Sequence, residues 1–377
     1  MARKTDSTPS AEGSVEVTEV PVEAETVDAG ATEVVSDESI TLAVSPAAEE
    51  LYHRRPEHRG EAPEPAAMLT DDRLIDSSGR YREVPEGFWQ RFLYEVSFHS
   101  LNVGDSLAVR ERKAMDRRIS FPFEQGTRFV PVLTRKGGVG KTTVTTLLGI
   151  ALAEVRDDRV LGIDANPDRG TLAERVIRST GATVRDVVNL AAGINSFTDF
   201  AELVSKDKTR FHVLASDTDP LLSEAFDEDD YNVVADQAAR FYSIVLTDCG
   251  TGVVHSVMRP TLERADGLVI VSGGSVDEAR LASETLTWLE ANGHGELVKN
   301  AIVALNTATQ GTNVVKLDEI EQHFISRVRD VVRIPYDPLL AAGSIVDWAR
   351  LGPYTREAAR ELAALVVEGM AEGSTVR

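Results

Sequence analysis

Two hydrophobic rhythms alternate along most of this chain. From Arg128 onward, short runs dense in Val, Ile and Leu recur: RFVPVLT (128–134), RVLGID (159–164), RFHVLAS (210–216), YSIVLTD (242–248), GLVIVSG (267–273), NAIVALN (300–306) and DVVRIP (330–335). Within each run apolar residues follow one another instead of alternating with polar ones, which predicts strands buried on both faces. Longer stretches with apolar residues three or four apart lie between most of them. Examples are 253–265 (VVHSVMRPTLERA), 275–292 (SVDEARLASETLTWLEAN) and 315–328 (VKLDEIEQHFISRV). These predict amphipathic helices. Strands separated by helices predict an α/β fold: a doubly wound, mainly parallel sheet with helices on both faces. Ligands bind such sheets at the carboxyl ends of the strands.

Ahead of these runs the pattern changes. In 84–104 (VPEGFWQRFLYEVSFHSLNVG), Phe88, Phe92 and Val96 recur every fourth residue, with Trp89 and Leu93 beside them, which predicts an amphipathic helix. The next stretch, LAVRERKAMDRRI (107–119), predicts a helix of mixed charge. Residues 80–126 together form a helical appendage to a domain spanning 127–372. The appendage either packs over that domain or offers a docking surface. Residues 1–70 carry no such pattern. Residues 1–50 hold twelve Asp or Glu against Arg3 and Lys4, which accounts for −10 of the formal charge of −21, and they contain no Phe, Tyr or Trp. A segment of this kind has too little apolar surface to offset its ordering entropy. It is expected to be a disordered, acidic, proline-containing tail.

The chemistry concentrates at the predicted strand ends. Directly after the first strand run comes Lys136-Gly137-Gly138-Val139-Gly140-Lys141-Thr142-Thr143, and directly after that the apolar stretch 144–155. Strand, glycine-rich loop and helix make the context of a phosphate-binding loop. The small residues let backbone N–H groups converge on one concavity, and the helix that follows adds the positive end of its dipole. Lys141 can reach the β- and γ-phosphates of a nucleoside triphosphate, and the Thr142 hydroxyl can ligate Mg²⁺. Asp248, at the end of YSIVLTD, is placed to hold Mg²⁺ through a water, and Gly250 and Gly252 free the backbone beyond it. Arg135 stands where the general P-loop pattern has its first glycine. It adds positive charge beside the loop, with no role assigned.

With Lys136 opening the loop, the sequence resembles the deviant Walker A group of MinD- and ParA-type ATPases over about residues 128–370. The resemblance implies a P-loop ATPase that binds ATP and Mg²⁺, dimerises when ATP is bound, recruits a protein partner and resets on hydrolysis. It implies that Lys136 reaches across the dimer to the partner's ATP, and that Asp164 belongs to the metal shell. It implies too that Asn306 reads the adenine edge, with Pro335, Tyr336 and Asp337 near the purine. Relatives carry a second acid two residues after the first, to position the attacking water. This chain has Asn166 there, which implies slow turnover unless Asp168 substitutes. The stretches DANPDRGTL, TDCGTG and IPYDPLLAAG are more narrowly similar to EspI-like ATPases associated with actinobacterial type VII (ESX) secretion.

Three functions remain compatible with these residues: a regulatory ATPase of a secretion or cell-envelope system, a chromosome- or plasmid-partitioning ATPase binding DNA non-specifically, and an ATP-dependent scaffold with little hydrolysis. DNA is disfavoured by the acidic charge, since phosphate neutralisation needs clustered Lys and Arg and the local candidates are Arg350, Arg356 and Arg360. A partner protein is expected through the N-terminal tail or the 80–126 segment. The apolar residues of 355–373 predict a terminal helix packed on the core; Glu357, Glu361, Glu368 and Glu372 disfavour a membrane-surface role. No apolar run is long enough to span a membrane, no signal pattern opens the chain, and the single cysteine, Cys249, allows no intrachain disulfide. A cytoplasmic location is expected.

Overall fold

A computed structural model of the chain describes residues 105–123, 126–166, 170–217, 226–252, 255–307 and 315–373, together with 92 and 95–97. The proposed tail (1–70) and most of the predicted 84–104 helix lie outside the described residues. The strands are β1 (Arg128–Leu133), β2 (Val160–Ala165), β3 (Ser205–Lys206), β4 (His212–Leu214), β5 (Ile244–Cys249), β6 (Val269–Gly273), β7 (Ile302–Asn306) and β8 (Asp330–Ile334). They form one sheet in the order β3-β4-β2-β5-β1-β6-β7-β8, parallel except for the β3–β4 edge pair. The principal helices are α1 (Leu107–Ile119), α2 (Lys141–Val155), α3 (Val184–Leu190), α4 (Glu228–Ala239), α5 (Met258–Glu263), α6 (Val276–Ala291), α7 (Leu317–Ile325) and α8 (Pro353–Gly373).

Each of the seven apolar runs supplies one strand. Alternate residues of a strand feed opposite layers: Val130, Ile244 and Leu246 meet α2 and α8, while Leu161, Ile163 and Val245 meet α3 and α4. On the second face of the other half, Ile270, Val303 and Leu305 meet α6 and α7. The chain winds from β1 to β2 and β4 on one side, returns to β5, then crosses to β6, β7 and β8 on the other. The winding therefore reverses at β1, and the carboxyl ends of β1 and its neighbours open onto one crevice.

Pro131 sits in the interior of this central strand, where a missing donor is normally disfavoured. Arg128 N donates toward the β5 side, to Ser243 O at 2.9 Å, and Phe129 N donates to Asp266 Oδ2 at 3.0 Å on the other. Alternation puts the missing N–H of Pro131 on the β6 side, where the ladder runs only from Val132 to Leu133.

The phosphate-loop helix α2 is apolar nearly all round and buried from Thr143 to Ala153. It packs on the Phe211 ring, just ahead of β4. A Cβ on Gly149 would fall 2.3 Å from the Phe211 ring, and one on Gly162 of β2 would fall 2.7 Å from it. Helix α1 starts at Ser106, whose Oγ accepts from Val109 N. It is fixed to the domain by Arg118 Nη2 on Glu368 Oε2 (2.9 Å), by Arg360 on Asp116 (3.1 Å), and by Arg156, which donates to the carbonyls of Ile119 and Phe121. Helix α8 buries Leu362, Ala363, Val366, Val367 and Met370 against the sheet. Among the described residues no helix is long and apolar enough to cross a membrane.

Candidate nucleotide site

The loop between β1 and α2 turns on two glycines in the left-handed region, Gly138 (φ +83°) and Gly140 (φ +92°). Gly140 caps α2 with no side-chain acceptor, so the first N–H groups of the helix face outward. Around Gly137 and Gly138 no heavy atom would lie within 4 Å of an added Cβ. These features shape a cradle for an anion, with the helix dipole behind it. A cleft of about 420 Å³ opens from the loop.

Lys141 and Thr142 open α2 and point to the end of β5. Lys141 Nζ lies 2.6 Å from Asp248 Oδ1, and the Thr142 hydroxyl donates to Asp248 Oδ2 at 2.7 Å. Thr145 Oγ, one turn on, lies 3.0 Å from Oδ1. Asp248 is fully buried, and the Lys141 side chain is nearly so. The donor set is a cation, a hydroxyl and a buried carboxylate, grouped below uncapped helix N–H groups. It fits a Mg²⁺–triphosphate: with its hydrogen given to Asp248, the Thr142 oxygen keeps lone pairs for a metal.

Asp164, at the end of β2, is the register partner of Asp248. It is buried and accepts from Leu172 N (2.9 Å) and Asn166 N (3.3 Å). Burial pushes its carboxyl up to about 7, the neighbouring Asp248 charge adds to the rise, and the two backbone donors and Lys141 oppose it. Cys249 is buried next to Asp248, and its thiol is pushed up to about 12 by burial, so it is an inert packing group.

The structure brings most of the sequence-derived residues to one cleft. Lys136, Gly137, Gly138, Gly140, Lys141, Thr142, Thr143 and Asn166 line it together with Asn306, Pro335, Tyr336 and Asp337. Asp164 and Asp248 stand behind its floor, and Val139 is buried under the loop. Asp168 lies outside the described residues. Several contacts were not legible beforehand. Asn306 Nδ2 donates to Val139 O at 2.8 Å, so it ties β7 to the phosphate loop. Asp337 caps the turn Pro338–Ala341 by accepting from Leu339 N, and also accepts from Gly352 N and Thr355 Oγ. Burial acts to raise its pKa, but these donors hold it below the ordinary carboxylate range. Lys136 Nζ lies 3.5 Å from Glu278 Oε1 at the start of α6, and Arg135 pairs with Glu284 of the same helix at 3.5 Å. Thr171, Arg175, Thr251 and Gly343 also line the cleft and carry no motif that announces them.

Comparisons with known proteins agree with this geometry. The ESX-1 secretion-associated protein EspI of Mycobacterium tuberculosis is 36% identical over 242 residues, covering 64% of this chain. The match takes in only 36% of EspI, so the chain spans about a third of that relative's length. Among solved structures, a ParA family ATPase from Chlorobium tepidum aligns with a TM-score of 0.54 at 22% identity, covering 63% of this chain and 98% of that one. The septum site-determining protein MinD from Pyrococcus horikoshii, complexed with Mg-ADP, aligns with a TM-score of 0.51 at 20% identity, covering 63% and 94%. These two likenesses are of fold. The family model for the CobQ/CobB/MinD/ParA nucleotide binding domain matches residues 130–343, which runs from β1 through the phosphate loop to the loop after β8. With that span covering more than half of the chain and enclosing its cleft, the protein belongs to the CobQ/CobB/MinD/ParA nucleotide-binding family.

Proposed function

We propose that this chain is a Mg²⁺-dependent ATPase that works as a nucleotide-controlled dimeric switch, turning over slowly, in a secretion or cell-envelope system. The observation that carries the nucleotide reading is the convergence of Lys141 and Thr142 on buried Asp248 beneath an uncapped helix. Thr142 would hold Mg²⁺ directly, with Asp248 and Asp164 in its outer shell. Bound there, the ion would neutralise charge developing on the transferred phosphoryl group. Lys141 would turn from Asp248 to the phosphates. Lys136 stands at the cleft rim, partly exposed and paired with Glu278 at 3.5 Å, a position from which a lysine can serve a second copy. Asn166 lines the cleft where relatives carry an acid, and an amide orients water without accepting its proton.

The secretion assignment is supported by the similarity to EspI, an ESX-1 secretion-associated protein. The DNA-partitioning alternative loses one of its candidate cations, since Arg360 bonds Asp116 and lies over the Trp348 ring at 5.2 Å. Calorimetric titration with Mg·ATP tests the nucleotide reading, with Lys141→Ala as the comparison and circular dichroism confirming its fold. Undiminished affinity in a folded variant would overturn it. Light scattering with ATP and with ADP tests the switch; equal dimerisation in both would overturn that part alone.

A further inference from the structure

Arg175 ends the one-turn helix Leu172–Arg175 after β2. This turn is anchored firmly. Leu172 and Ala173 are buried, Leu172 N donates to Asp164, and Arg175 O accepts from Val346 N at 2.8 Å. The Arg175 side chain enters the cleft wall, among residues that include Lys136, Lys141, Thr171 and Gly343. Its Nη1 would lie 3.6 Å from a Cβ at Gly343, an ordinary van der Waals separation, so the guanidinium packs beside the loop after β8. Both Nε and Nη1 are buried, and neither has a hydrogen-bond partner among the described residues.

A guanidinium stays charged, and burying two of its donors without acceptors is costly. Burial lowers its pKa, while the charges of Glu174 and Asp248 pull the other way. Asp248 is already engaged by Lys141, Thr142 and Thr145. We propose that Arg175 binds a phosphate group of the nucleotide held in this cleft, acting from the turn after β2, outside the phosphate loop. A phosphate offers the anionic, multi-oxygen acceptor that a guanidinium fork matches and that an ammonium matches less well. The contact rests on the nucleotide reading above and adds to it a positioning cation from outside the P-loop.

The test compares the full chain with Arg175→Gln and Arg175→Lys by calorimetry, using Mg·ATP, ADP, tripolyphosphate and adenosine as ligands. Thermal melting confirms that each variant is folded. Arg175→Gln should weaken ATP, ADP and tripolyphosphate by about tenfold to a hundredfold, the range of a hydrogen bond to a charged group. Adenosine should bind equally to all three proteins. Arg175→Lys keeps the charge and should recover part of the loss, and it decides the matter if Arg175→Gln does not fold. Unchanged ATP and tripolyphosphate affinity in the variants, with wild-type binding intact, would overturn this contact and leave the nucleotide site standing. A parallel loss for adenosine would place the arginine on the nucleoside and overturn it too. A wild-type protein that binds none of the four ligands would overturn both readings.

Discussion

Asp164 and Asp248 stand opposite one another in the β2–β5 ladder, both buried at the carboxyl ends of their strands. Neighbouring parallel strands are about 4.8 Å apart, so two carboxyls and the Lys141 ammonium share a small volume. Lys141 sits on Asp248, and Asp164 is left to backbone donors, with its carboxyl pushed up to about 7. The pair therefore has one protein cation, Lys141, held on Asp248. A divalent cation placed nearby favours the ionised form of Asp164.

Removing one member of the Lys141–Asp248 pair should destabilise the protein more than removing both. Asp248→Asn leaves a buried ammonium without its counter-charge, and Lys141→Met leaves a buried carboxylate; each should cost about 3–5 kcal/mol. The double variant should recover a substantial part of that loss. Denaturant unfolding of the four proteins gives the coupling, and additive losses would show that the two charges do not interact.

Glu278→Gln should strengthen ATP-dependent dimerisation. Glu278 pairs with Lys136 of the same chain, and its carboxylate also completes the N-terminal capping box of α6 with Ser275. Glutamine preserves a capping box while releasing the lysine. Light scattering across a concentration series should give a tighter dimer for Glu278→Gln and none for Lys136→Ala. An unchanged midpoint in both would show that Lys136 takes no part in the contact.

Asn166→Asp should raise single-turnover hydrolysis, with ATP affinity little changed. Full general-base assistance is worth roughly 10²–10⁴-fold. A gain of about tenfold is expected here, because a new carboxylate would lie near Asp164 and repel the γ-phosphate. Asp168→Ala should slow the wild type only if Asp168 already substitutes. Fast wild-type turnover indifferent to both changes would place water activation elsewhere.

His212 should make the fold sensitive to acid. Its Nδ1 lies 2.7 Å from the Tyr242 hydroxyl, and burial, then the charges of Lys206 and Arg159, depress its pKa to about 4. The unfolded chain takes up the proton near pH 6.5 and the folded one only near 4, so this group's stabilisation is lost as pH falls between those values. Asp164 works in the opposite sense over much of the same window. The readout is therefore the difference in melting midpoint between wild type and His212→Asn. That difference should narrow as pH drops from about 7 to 4; a constant gap would refute the assignment.

Much of this architecture was legible in the sequence because it is local. Continuous apolar runs announce strands buried on both faces, and the loop 136–143 announces itself by glycines in register with a strand and a helix. The edge strand Ser205–Lys206 gave no such signal: two residues with no apolar run are made a strand only by their pairing with β4. The Asn306–Val139 bond was not legible either, since 167 positions separate the partners and only the closed sheet brings them together. Arg175 was passed over for a related reason. An arginine in a polar loop carries no meaning until burial removes its water.

Phe211 limits the order in which this core can change. Its ring fills the notches left by Gly149 on α2 and Gly162 on β2, so it sets how deeply the phosphate-loop helix beds on the sheet. A side chain larger than glycine at either notch collides with the ring while Phe211 is present. Trimming Phe211 first opens a cavity, at about 3–5 kcal/mol for Phe→Ala, before either glycine can grow. Any repacking of this layer thus crosses a stability valley unless ring and notch change together, and a variant with alanine at 149 should be recoverable mainly in a background already reduced at 211.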